Sequence, residues 1–142
     1  MSPQTDDLQR FLDAQAGVYE TALAEIRHGH KTTHWMWFIF PQLAGLGSSP
    51  TARLYAIASV EEARAYLAHP VLGSRLRECA QAVARLAGRS AREVFGRPDD
   101  LKLRSSLTLF EVADPSGTVF AEALDAVCGG ERDEATLRKL GL

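Results

Sequence analysis

Residues His28 to Gln42 read HGHKTTHWMWFIFPQ and concentrate the unusual chemistry of this chain. The stretch holds both tryptophans, three of the four histidines and one lysine. The apolar run from Trp35 to Phe40 has no polar residue to alternate with, so periodicity cannot separate a buried strand from a buried helical turn. The following proline favours an extended backbone at Phe40. We predict that residues 31–50 form an irregular, largely buried crossing with one short helix, held in place by ordinary helices on either side.

Length and composition fit one compact domain. The chain has 142 residues, of which 46% are hydrophobic and 24% charged, as in ordinary globular proteins. Sixteen basic residues nearly balance eighteen acidic ones, and a formal charge of -2 creates no general field that would favour nucleic acid or an anionic membrane. The longest apolar run is too short to span a bilayer. We therefore expect a domain with an ordered core over about residues 6–140, a loose tail at residues 1–5 and no membrane partner.

The cysteines and the N-terminus bear on the cellular compartment. Cys79 and Cys128 form no C-x-x-C pair, which argues against a disulfide scaffold and favours a reducing, cytoplasmic setting. Cys79 falls on an apolar helix face, where a thiol is usually inert. The first residues lack the basic and apolar regions of a secretory signal.

Apolar residues recur at helical spacing from Leu8 to Ile26. This stripe predicts one helix from about Asp7 to Arg27, capped by Thr5 or Asp6 and ended by Gly29.

Further helix starts are marked by capping residues and prolines. They are predicted at Ser59 and Ser90, each followed three residues later by glutamate, and at Pro70, Pro98, Asp114–Pro115 and Asp133. About seven helices with little or no strand predict a mainly α multi-helical bundle.

Three histidines have the spacing H-x-H-x3-H, at His28, His30 and His34. Histidine is a common metal ligand. Gly29 interrupts the local geometry, and no cysteine lies nearby to complete a ligand set. We expect no metal and interpret the histidines as an exposed helix end with one packed ring.

Several polar and aromatic groups near this stretch could bind a ligand. Trp35 and Trp37 point opposite ways if the backbone is extended, so one could pack in the core while the other stacks on a nucleobase. Lys31, helped by Arg27, could contact a phosphate, although a lysine in this position usually extends to water. Gln42 could present its amide to the edge of a base.

A second group lies seventy residues further on. Asp99 and Asp100 suit the first turn of a helix, and one of them could also act as a general base at the mouth of a pocket. Lys102 could pair with either carboxylate. Ser105 could donate a hydroxyl or simply pack between helices, and no G-x-S-x-G motif supports a serine hydrolase.

Four segments of this chain resemble the family known as domain of unknown function 1810. The matching segments are A-L-x-E-I-R-x-G-x-K-x-x-H-W-M-W-F-I-F-P-Q at residues 22–42, G-L-G at 45–47, Y-L-x-H-P-x-L-G-x-R-L at 66–76 and F-G-x-P-D-D-x-K-L-x-S-S-x-T-L-F at 95–110. The similarity extends from about Phe11 to Leu137. Leu107 stands where methionine is expected, and Thr33 where serine is common.

The resemblance implies a mainly helical, YbiA-like fold. The family has no settled activity, but the YbiA-like superfamily is associated with N-glycosidic bonds of ribosylated bases, including riboflavin-pathway intermediates and ADP-ribose-type substrates, and includes distantly related NADAR-type N-glycosidases. No catalytic residue is carried over from that superfamily. The site residues are instead inferred from their own chemistry.

Two functional hypotheses follow. The first is an enzyme or binder for an ADP-ribose, NAD or other N-ribosyl compound, in which Asp100, or else Glu25, stabilises positive charge on the sugar. Substrate-binding candidates are Arg27, Lys31, His34, Trp35, Trp37, Gln42, Lys102 and Ser105, and no cofactor is required. The second is a non-catalytic module that binds a nucleotide or a protein. A plainer alternative is that the aromatic segment is entirely core. The first hypothesis requires Lys31 and Asp100 to face a shared hollow with an aromatic wall.

Overall fold

The structure is a computed structural model that describes the backbone of residues 3–142 and the side chains of residues 8–142. Within this part of the chain the fold is mainly helical, with ten helices and no strand beyond one isolated parallel bridge between Leu43 and Ile57. The helices are α1 (Pro3–Gln15), α2 (Tyr19–His28), α3 (Met36–Ile39), α4 (Pro50–Leu54), α5 (Val60–Ala68), α6 (Leu72–Ala84), α7 (Ala91–Phe95), α8 (Asp99–Ala113), α9 (Val119–Val127) and α10 (Glu134–Lys139). None of these helices combines the length and the apolar character needed to cross a bilayer.

The first predicted helix is two helices. Gly17 has φ 80°, a left-handed conformation that favours glycine, and it separates α1 from α2. The apolar stripe continues through this break because both helices pack on the same core. α1 also begins at Pro3, earlier than predicted; residues 1 and 2 of the expected tail lie outside the described residues. This break and the short helices α3 and α4 account for the excess over the predicted seven.

Capping residues start several helices as predicted, with local differences. At α7, Ser90 and Glu93 form a complete capping box. At α5, Ser59 caps the helix, but Glu62 accepts from the backbone N–H of Ala58 rather than from Ser59. At α10, the carboxylate of Asp133 accepts from the backbone N–H of Thr136 at 3.0 Å.

Two of the predicted helix starts are wrong. α6 begins at Leu72 and not at Pro70, because the imidazole Nδ1 of His69 accepts from the backbone N–H groups of Val71 and Leu72 and caps the turn before the helix. α9 begins at Val119, after a turn in which the backbone N–H of Gly117 bonds to the carbonyl of Asp114.

We expect Ser90→Ala to lower the free energy of unfolding by about 1 kcal/mol, because it removes a helix N-cap. The control is Ser48→Ala, at an exposed loop position, which should change stability by less than about 0.5 kcal/mol. Urea denaturation followed by circular dichroism measures both variants. Equal effects of the two substitutions would contradict the assigned cap.

One hydrophobic cluster joins residues from Leu8 to Val127 and places α6 against α2, α5 and α9. Cys79 is fully buried in it, as predicted, and burial raises the pKa of its thiol to about 12. The 28–42 stretch crosses one side of this core through α3, which contacts α1, α6 and α8. The core thus fixes the position of the aromatic segment relative to the start of α8.

Candidate functional site

The loop between α2 and α3 is tied down at its start. Gly29 ends α2 in a left-handed conformation with φ 76°, and the backbone N–H of His30 reaches back to the carbonyl of Glu25 at 3.1 Å. The backbone N–H of Lys31 then donates to the carbonyl of Val94 in α7 at 2.8 Å. Lys31 is therefore held beside the helix that precedes α8.

The carboxylate of Glu25 organises the same loop. Its Oε1 accepts from the backbone N–H groups of Thr32 (2.8 Å) and Thr33 (3.1 Å) and from the indole Nε1 of Trp35 (2.9 Å), while Oε2 accepts from the Thr33 hydroxyl at 2.6 Å. Partial burial acts to raise the pKa of Glu25, but these hydrogen bonds to the ionised form outweigh it and lower the pKa to about 2. Glu25 thus acts as a structural anchor, and its oxygens are occupied.

The two tryptophans have different environments. Trp35 is 1% exposed and packs edge-on against Phe95 with ring centroids 6.1 Å apart. Trp37 is half-buried, and its indole Nε1 has no hydrogen-bond partner among the described residues. Trp35 is the N-cap residue that precedes α3, and Trp37 lies inside that helix. The ring of Trp35 packs in the core and that of Trp37 is partly accessible, so the two rings face different environments.

The ammonium groups of two lysines contact the same carboxylate, and each of them also lies near the ring of one tryptophan. Lys31 Nζ lies 2.8 Å from Oδ2 of Asp99, and Lys102 Nζ lies 3.4 Å from Oδ1 of the same residue. The Lys31 ammonium sits 5.0 Å from the ring centroid of Trp35, and the Lys102 ammonium 4.2 Å from that of Trp37. We call these five residues the lysine–aspartate cluster.

The cluster is partly enclosed and carries a net positive charge. The side chain of Lys31 is 7% exposed, that of Asp99 20% and that of Lys102 22%. The chain has three lysines in all, and two of them are used here. Two ammonium groups against one carboxylate leave one positive charge beside an aromatic surface, an arrangement that suits a small anion with a planar group.

Asp100 faces away from this cluster. Its side chain is 6% exposed, its Oδ2 lies 3.3 Å from a guanidinium nitrogen of Arg97, and its Oδ1 accepts from the backbone N–H of Leu101. Successive helical residues are rotated by about 100°, so adjacent aspartates cannot share one environment. Lys31 meets the start of α8 through Asp99, whereas Asp100, which the first hypothesis requires to face Lys31, pairs with Arg97 instead.

Four other predicted binding residues lie outside the cluster. Arg27 pairs with Glu78 at 3.7 Å and is 57% exposed, while His34 is exposed. Gln42 is half-buried, and its carbonyl accepts from the backbone N–H of Ile57 in the bridge to the next segment. The buried hydroxyl of Ser105 lies 3.0 Å from that of Thr136, which fastens α10 to α8. The described contacts do not join these residues to the cluster.

The three histidines and three surface clefts are not part of the cluster. His28, His30 and His34 are all exposed, so the expectation of one packed ring is wrong. The described residues contain no group of three or more His, Cys, Asp or Glu placed to hold a metal ion. Three clefts of about 500, 570 and 600 Å³ are lined by residues around Arg77 and around Arg104. The lysine–aspartate cluster lines none of these three clefts, so the shared hollow that the first hypothesis requires is not among them.

The fold and the cluster together define a small helical protein with a basic, aromatic surface at the start of α8. A family model described as "Protein of unknown function (DUF1810)" matches residues 5–140, and the chain belongs to this family. The resemblance read from the four sequence segments is thus confirmed at the level of the family.

Comparison with solved structures gives the same relationship. The chain is similar to the crystal structure of the conserved hypothetical protein Rv1873 from Mycobacterium tuberculosis, with a TM-score of 0.92 and 52% sequence identity. The similarity covers 96% of this chain and 97% of that chain. A comparison with curated proteins found no match.

Proposed function

We propose that this protein binds a small anionic ligand of the ADP-ribose, NAD or ribosylated-base class at the lysine–aspartate cluster. The observation that carries the proposal is the meeting of Lys31 and Lys102 across Asp99, beside the half-buried ring of Trp37. Ammonium groups form charge-assisted hydrogen bonds with phosphate oxygens. An indole face offers a surface on which a planar base can stack.

The distant grouping of the domain of unknown function 1810 family with the YbiA-like superfamily supports this choice of ligand. That superfamily is associated with ribosylated bases, which combine a planar ring, a sugar and often a phosphate. A ligand of this class would place its phosphate near Lys102 and its base on the accessible part of Trp37. The Trp37 indole N–H is buried and lacks a partner among the described residues, so the ring would offer the ligand its face and not this donor.

Hydrolysis of an N-ribosyl bond at this surface would use Asp99 as the carboxylate. Cleavage develops positive charge on the sugar ring as the bond to the base breaks, and a carboxylate stabilises that charge while water attacks the anomeric carbon. Asp100 is already paired with Arg97 and buried, and Glu25 is fully used in anchoring the loop. Asp99 is the partly exposed carboxylate beside the lysines.

A non-catalytic binding role is the second candidate. It is favoured by the position of the cluster outside the three clefts and by the two lysines that already bracket Asp99. Enzymes that stabilise a charged transition state usually enclose it away from water. Incubation with NAD, ADP-ribose and a ribosylated base, followed by chromatography, distinguishes the two roles. Release of the free base supports the hydrolase, and binding without product supports the module.

The binding proposal is tested by isothermal titration with ADP-ribose. We expect Lys102→Ala to weaken binding by about tenfold or more, because a charge-assisted contact to phosphate is lost. The matched control is Lys139→Ala, which removes the remaining lysine at an exposed position of α10 and should leave the affinity unchanged. Absence of binding by the unaltered protein at millimolar ligand, or equal weakening by both substitutions, would overturn the proposal.

A further inference from the structure

We infer that Asp99 is a built-in competitor, a carboxylate that occupies the anion position of the cluster until the ligand's phosphate replaces it. This inference rests on the proposed function and names the residue that sets the affinity of the site. The two oxygens of Asp99 each face a different lysine, at 2.8 Å for Lys31 and 3.4 Å for Lys102. Two oxygens of a phosphate would bridge the same pair of ammonium groups in the same way.

The contacts of Lys31 explain why the ligand's phosphate must replace the Asp99 carboxylate and cannot bind beside it. An ammonium group has three donors. In Lys31 one is directed at Asp99, another at the carbonyl of Thr33 at 2.6 Å, and the ammonium also lies over the ring of Trp35 at 5.0 Å. Its side chain is 7% exposed. An incoming anion therefore reaches Lys31 only where the Asp99 carboxylate now lies.

Asp99 is also the movable partner of this arrangement. Its side chain is 20% exposed, and among the described residues its carboxylate is held by the two lysines alone. It does not cap α8, because it is the first residue of that helix, and the N-cap residue Pro98 makes no side-chain cap. Asp100, by contrast, is buried and bonded to a backbone N–H. A rotation about the side-chain bonds of Asp99 would expose both ammonium groups without disturbing the helix.

The charge of the cluster changes in a defined direction when this carboxylate is removed. Asp99→Asn leaves two positive charges where one net charge was present. The ligand's phosphate then no longer competes with a fixed anion. A carboxylate that contacts the ligand directly, for example by accepting from a ribose hydroxyl, would give the opposite result, since its loss weakens binding. The sign of the affinity change therefore separates a competitor from a ligand contact.

The experiment is titration of ADP-ribose into the unaltered protein, Asp99→Asn, Asp99→Ser and the control Asp13→Asn, which alters an exposed aspartate on α1. Far-ultraviolet circular dichroism verifies the fold of each variant. We expect either Asp99 variant to bind about fivefold more tightly at low salt, with the gain shrinking as ionic strength rises, and Asp13→Asn to match the unaltered protein. If Asp99→Asn does not fold, Asp99→Ser provides the same test of the competitor role.

The outcomes separate this inference from the proposal on which it rests. Binding by the unaltered protein, with equal or weaker binding by the Asp99 variants, overturns the competitor role and leaves the binding site in place. No binding by the unaltered protein or by the Asp99 variants overturns both. Tighter binding by the Asp99 variants that is matched by Asp13→Asn also overturns the inference, because it reflects net charge and not the cluster.

Discussion

Replacement of Trp35 by alanine is expected to lower the free energy of unfolding by about 3–5 kcal/mol, the range for deleting a large buried aromatic side chain. Trp35 is 1% exposed and packs edge-on against Phe95. Its indole N–H donates to Glu25 at 2.9 Å, and its ring face lies 5.0 Å from the ammonium of Lys31. The substitution removes all of these contacts and leaves a cavity between the loop and α7.

Trp37→Ala is the matched control for this prediction, because it removes the same side chain two residues away. Trp37 is half-buried, so we expect a loss of about 1–2 kcal/mol, closer to an ordinary point substitution. Urea denaturation followed at 222 nm avoids the fluorescence change that both variants cause. A smaller effect at Trp35 than at Trp37 would contradict the assignment of the inner and outer rings.

Replacement of Glu25 by alanine is expected to cost about 2–4 kcal/mol, since charge-assisted hydrogen bonds are lost and the buried N–H of Trp35 is left unpaired. Four donors converge on this carboxylate, from Thr32, Thr33 and Trp35. The control is Glu20→Ala, an exposed glutamate on the same helix, which should change stability by less than about 0.5 kcal/mol. Comparable losses for the two variants would show that the loop does not depend on the anchor.

Glu25 also gives stability a defined dependence on pH. Hydrogen bonds lower its pKa in the folded protein to about 2, below its ordinary value of 4.5. The unfolded state therefore binds the proton more readily, and the contribution of Glu25 is fully present above about pH 5. It is lost as the pH falls from about 4.5 toward 2. We expect the stability difference between the unaltered protein and Glu25→Gln to shrink over this range in urea denaturation. A constant difference from pH 6 to pH 3 would contradict the lowered pKa.

Sequence patterns predicted much of the helical architecture because its causes are local. Ser90 and Asp133 cap their helices through residues three positions away, and apolar spacing marks the inner faces of the helices. The break at Gly17 was missed because the stripe keeps its phase from α1 into α2, and periodicity reports phase rather than continuity. The imidazole cap at His69 was missed because histidine is not among the usual N-cap residues.

Residues of the lysine–aspartate cluster were among the candidates, but their contacts were not predicted. The sequence placed Lys31 and the Asp99–Asp100 pair among the candidates, yet which carboxylate meets the lysine depends on the rotation of α8, and that is fixed by its packing. Glu25 looked like a catalytic carboxylate because isolated chemistry cannot show that four donors surround it. The backbone carbonyl of Val94 holds the backbone of Lys31. Every residue type carries such a carbonyl, so the sequence could not indicate this contact.

The most direct test of the binding proposal is a crystal structure of the protein grown with millimolar ADP-ribose. The proposal predicts a phosphate within about 3 Å of the ammonium groups of both Lys31 and Lys102. It also predicts the base against Trp37 and the Asp99 carboxylate displaced from both ammonium groups. A ligand bound in the clefts around Arg77 or Arg104, or a cluster unchanged and empty at that concentration, would contradict it.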